Sequence, residues 1–102
     1  MKPCCKAFLS EQFGGDEDIV AEIYAEYVTS LHAKAQEAAD RLAAADWQRL
    51  DETAHAIKGN ALVAGDTETA DAAIALRGAS KLGDSAKAGE LVARIRELAA
   101  QL

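Results

Sequence analysis

In four consecutive stretches of this chain the apolar residues recur at intervals of three and four, the spacing of one face of an α-helix and not the alternation of a strand. Val28, Leu31, Ala35, Ala38, Leu42 and Ala45 form the first such stripe, and Trp47, Leu50, Ala54, Ile57, Ala61 and Ala64 the second. Ala88, Leu91, Ile95, Leu98 and Leu102 form the last. Between them Thr67–Leu82 is alanine-rich and less regular, with Ala72, Leu76 and Ala79 as its best stripe. A shorter amphipathic piece carrying Ile19, Val20, Ile23, Tyr24 and Tyr27 precedes these four. Thr29-Ser30 follows it, and a serine able to cap a new helix predicts a kink or short interruption there.

The residues between the stripes are helix stops and starts. Gly65-Asp66 and Gly83-Asp84 each pair a glycine that can end a helix in the left-handed region with an aspartate that can cap the next one. Asp46 and Asp16 have the same capping role, the latter after Gly14-Gly15. Connections this short turn successive helices antiparallel. The prediction is an all-α fold: an up-down four-helix bundle with a short additional N-terminal helix, as a single domain over residues 13–102 after an irregular segment 1–12.

Composition changes this picture little. Alanine supplies 24 of 102 residues, which favours helices and lets them approach closely. Seventeen acidic against eleven basic residues leave a net charge of −6, which speaks against nucleic acid as a partner and against a basic membrane-surface helix. No apolar run has the ~18–20 residues of a transmembrane span, and the start of the chain lacks the core of a signal peptide. Cys4 and Cys5 are adjacent, poorly placed to bridge each other, and read as inert thiols of a reducing cytoplasm. Two distant histidines offer no four-ligand metal set, so no metal and no cofactor are expected.

Chemistry gathers on the second full stripe. With Ala54 and Ile57 marking the core direction, His55 points about 130° away from it at ~100° per residue. Lys58 and Gly59 follow at i+3 and i+4 and share its face. A glycine inside a helix costs roughly 0.5–1 kcal/mol relative to alanine, and an outward one contributes no internal packing in return. It leaves a bare spot through which another protein can reach the imidazole. A neutral imidazole is a nucleophile, and a nearby ammonium neutralises the oxygens of a phosphoryl group. Nothing in the chain resembles a phosphate-binding loop for ATP, so a phosphoryl group must come from and go to another protein. Leu62, a further turn along, is either partner-facing or a boundary core residue, while His32 has no such companions and reads as an ordinary helix residue.

The run His55-Ala-Ile-Lys58-Gly59, with Gly65 ten residues after the histidine, resembles the signature of histidine-containing phosphotransfer (HPt) domains of two-component phosphorelays. Ala45-Asp46-Trp47 before it and Gly83-Asp84 before the last helix are similar to that family too, over a region from about Phe13 to the end. The resemblance implies that His55 is the phosphoacceptor, exchanging phosphate with an aspartate of a response-regulator receiver domain or taking it from a hybrid sensor histidine kinase. It implies that Lys58 screens the phosphoryl charge, that Gly59 admits the receiver's loops, and that magnesium belongs to the receiver. Such a protein is a relay intermediate without kinase or ATPase activity of its own, here expected to be cytoplasmic, free-standing and monomeric. Two positions depart from the family pattern. Asn60 stands where Ser or Ala is common, able to cap locally or touch the partner. Arg77 stands where some members place a Gln or Glu beside the histidine, able to pair with the phosphoryl group or face solvent. Competing readings are an interaction module that docks receivers without being phosphorylated, and a metal or haem bundle.

Overall fold

The computed structural model describes all residues, 1–102, and contains five α-helices and no strand. They are α1 (Pro3–Gln12), α2 (Glu17–Ala43), α3 (Trp47–Ala64), α4 (Thr67–Leu82) and α5 (Ser85–Ala100). The capping aspartates act as their spacing predicts. Asp16, Asp46, Asp66 and Asp84 each accept a hydrogen bond from the backbone N–H three residues on, opening α2, α3, α4 and α5. Gly65 and Gly83 close α3 and α4 with φ of 73° and 63°, the left-handed region that a side chain disfavours. Gly65 has a second reason to be bare: a Cβ there would run into the ring of Phe8.

Helices α2 to α5 form a helical bundle in which α2 packs on α3, α3 on α4, α4 on α5 and α5 on α2. The α3–α4 contact is the most extensive. Its alanines explain this, since Ala54, Ala61, Ala64, Ala70 and Ala73 are essentially solvent-free and let the two backbones come close. Leu31, Leu50, Ile57, Leu76 and Ile95 supply the bulk of the core between the four helices.

The structure corrects three sequence expectations. Segment 1–12 is not irregular: Pro3–Gln12 is a helix that buries Cys5 and Leu9, four residues apart, and packs Phe8 against the core. Its stripe is one turn long and too short to show periodicity, although a proline in the first turn is a helix-start signal. The piece around Ile19–Tyr27 is no separate helix, because α2 runs unbroken through Thr29-Ser30. Thr29 faces solvent there, and the Ser30 hydroxyl accepts a hydrogen bond from Asn60 Nδ2 at 3.0 Å instead of capping a new helix. Finally, Ala45 is not part of the α2 stripe. It lies beyond the helix end, exposed, with φ of 52°.

Candidate functional site

The α1 end of the bundle and the middle of α3 both concentrate polar groups, and they do different things. At the α1 end, Asp66 is fully buried and takes hydrogen bonds from Lys2 Nζ at 2.7 Å, the Tyr27 hydroxyl at 2.6 Å and the Thr69 hydroxyl at 2.8 Å. Burial alone would push its carboxyl up. The hydrogen bonds from Lys2, Tyr27 and Thr69, with the charge of Lys2, outweigh that and hold it below the usual carboxylate range. Lys2 is correspondingly raised, since its hydrogen bonds and attraction to Asp66 and Glu68 overcome its own desolvation. Burial, then Cys4 and Asp66, push the Cys5 thiol up to about 12, so it stays protonated. No buried side-chain nitrogen or oxygen here lacks a partner, and the Lys2–Asp66 pair with the Lys2 N–H to Tyr24 hydroxyl bond clasps the start of α1 onto the bundle.

The middle of α3 is the opposite case. His55 is exposed, on the ninth residue of an 18-residue helix. Lys58, one turn on, is half-buried and takes part in no ion pair, so its ammonium is uncommitted. Gly59 is exposed, and a Cβ built on it would meet no atom within 4 Å. Leu62 continues the face and is 51% exposed, which places it on the surface and not at the core boundary. Across from them on α4, Arg77 Nη1 donates to His55 Nδ1 at 3.1 Å, and Arg77 Nε to Asp51 Oδ1 at 3.0 Å. Arg77 thus touches the histidine and does not simply face solvent.

Of the residues singled out from sequence, His55, Lys58, Gly59, Leu62 and Arg77 come together on one face. Asn60 does not. It is turned toward α2 and bound to Ser30, because five residues beyond His55 is about 140° round the helix. Sequence reasoning missed Asp51, which lies four residues before His55 and so on its face. On α4, Ile74 lies three residues before Arg77 and Gly78 one residue after it, both exposed. Ile74 is 52% exposed despite its apolar side chain, and Gly78, like Gly59, has open space where a Cβ would stand.

The middle of α3 thus presents an exposed histidine with an unpaired lysine and a stretch of bare backbone beside it. A protein-family model described as Hpt domain matches residues 22–102. The chain belongs to the Hpt domain family. Hpt domains act in histidine phosphotransfer in two-component phosphorelays, working with receiver domains and kinases. Neither a curated protein nor a solved structure was found to match the chain. The family match begins within α2, so α1 and Lys2 lie outside the matched part of this Hpt domain, while the Asp66, Tyr27 and Thr69 that receive them lie inside it. None of its helices is long and apolar enough to cross a membrane.

Proposed function

We propose that this Hpt domain is a phosphorelay intermediate that carries a phosphoryl group on His55, received from the aspartyl phosphate of a receiver domain or from a hybrid sensor kinase and passed to a receiver aspartate. The observation that carries this reading is the exposed His55 beside the unpaired Lys58 and the open Gly59. In the transfer a ring nitrogen attacks phosphorus, Lys58 neutralises charge on the equatorial oxygens, and Gly59 lets the receiver's active-site loops close over the imidazole. Leu62 and Ile74 give that receiver apolar surface to cover. The magnesium that the reaction uses is the receiver's own. The polypeptide works as a monomer of the cytoplasm, with α2–α5 as an up-down four-helix bundle and α1 as the additional helix.

The test is uptake of acid-labile phosphate from a phosphorylated receiver. Wild-type protein takes up label and the His55→Gln variant takes up none. Label that persists in His55→Gln sinks the assignment. Receiver binding that is equally tight with and without His55, with no exchange of phosphate, identifies a docking module instead.

A further inference from the structure

His55 Nδ1 is met by a group that can only donate. A guanidinium carries five N–H donors and no lone pair, so the 3.1 Å contact from Arg77 Nη1 requires a lone pair on Nδ1. Neutral His55 therefore keeps its proton on Nε2, the ring nitrogen with no partner within the chain. The guanidinium is itself held: its Nε donates to Asp51 at 3.0 Å, and both partners are about three-quarters buried at their side chains. The anchor also shares a helix face with His55 at i−4, which fixes Arg77 in register with the ring.

This polarity is that of the phosphorylated histidine and not of the attacking one. For Nε2 to attack the phosphorus of an aspartyl phosphate, the ring must carry its proton on Nδ1. The N–P bond forms as the P–O bond breaks, the electron pair leaves on the aspartate carboxylate, and the Nδ1 proton then passes to solvent. The product, phosphorylated at Nε2, has a lone pair on Nδ1 that matches the Arg77 donor. Loss of the phosphoryl group to water is easiest when Nδ1 is reprotonated, because the ring then leaves as a neutral imidazole. A guanidinium that occupies the Nδ1 lone pair has to be displaced before a proton can take its place.

We propose that Arg77, anchored by Asp51, is a positioning residue that sets the His55 tautomer and makes its Nε2-phosphohistidine a long-lived store. The proposal rests on His55 as phosphoacceptor only for its physiological use. Its first test needs no phosphate. In a His32→Gln background, leaving one imidazole, long-range ¹H–¹⁵N correlation spectra of the full chain report which nitrogen is protonated. The parent is expected almost wholly as the Nε2–H tautomer, and Arg77→Met, which removes the donor at similar bulk, gains an Nδ1–H population. The second test phosphorylates the same proteins with phosphoramidate and follows the N–P signal. Its half-life at neutral pH falls roughly two- to tenfold in Arg77→Met, the range that losing one net hydrogen bond implies, and by less in Asp51→Asn, which keeps the guanidinium but loosens it. An unchanged tautomer in Arg77→Met, or a half-life that is unchanged or longer, overturns the proposal. A failure of receivers to label His55 would overturn the relay reading and leave the tautomer result standing.

Discussion

Gly59 is a position that the packing of its own chain does not require to be bare. Its hydrogen faces open solvent, so a side chain added there meets nothing and removes a helix-interior glycine. Gly59→Ala is expected to raise stability by about 0.5–1 kcal/mol in urea unfolding. Gly59→Gln is expected to keep or raise the melting temperature while slowing phosphate exchange with a receiver, because its bulk stands in the approach to His55. A fall in melting temperature with unchanged exchange would assign Gly59 to the fold. Most of this face was legible from helical spacing, since His55, Lys58, Gly59 and Leu62 lie on one helix and their angles follow from counting. The same counting places Asn60 elsewhere. What it could not give is the pairing of Arg77 with His55 and Asp51, which depends on the register of α4 against α3, set by the fit of alanines along their contact.

The helices were legible in proportion to their stripes and caps. Four aspartate caps and two left-handed glycines mark the ends of α2 to α5 in the sequence itself, whereas α1 derives its stability from the surface it lands on. Asp66 is the centre of that landing. Asp66→Ala removes the α4 cap, the Lys2 ion pair and two hydroxyl partners together, and is expected to cost on the order of 2–4 kcal/mol in urea unfolding. Asp66→Asn keeps an oxygen for the cap and costs less. The pH dependence follows from the lowered carboxyl: the unfolded chain binds the proton more readily, so the contribution is whole above the ordinary value of 3.8 and is lost as pH falls toward the depressed folded value. The gap in stability between wild type and Asp66→Asn should therefore shrink on acidification below about pH 4 and hold steady from there to neutrality. A gap that is constant across the acid range would show that Lys2, Tyr27 and Thr69 do not favour the ionised carboxylate.

At the scale of the whole molecule the chain is a rod of 43 × 19 × 18 Å, with the clasp at one end and His55 at the middle of α3. That separation predicts a clasp that acts on stability and not on transfer. A chain lacking residues 1–12 loses the burial of Cys5, Leu9 and Phe8 and the Lys2–Asp66 pair, offset by the freedom regained by ten helical residues. It is expected to have a lower melting temperature, yet to exchange phosphate at the full-length rate wherever it is folded. Slow exchange by the folded truncated chain would instead tie α1 to the transfer face. The two bare glycines beside the histidine have a consequence for descent. Gly59 and Gly78 bear no packing of their own chain, so bulk acquired at either point leaves the folded state intact and, on the proposed relay reading, is expected to alter who can dock. On that reading, two copies of this domain left by a gene duplication are expected to become insulated from each other's partners through side chains at those two points, with fold stability untouched.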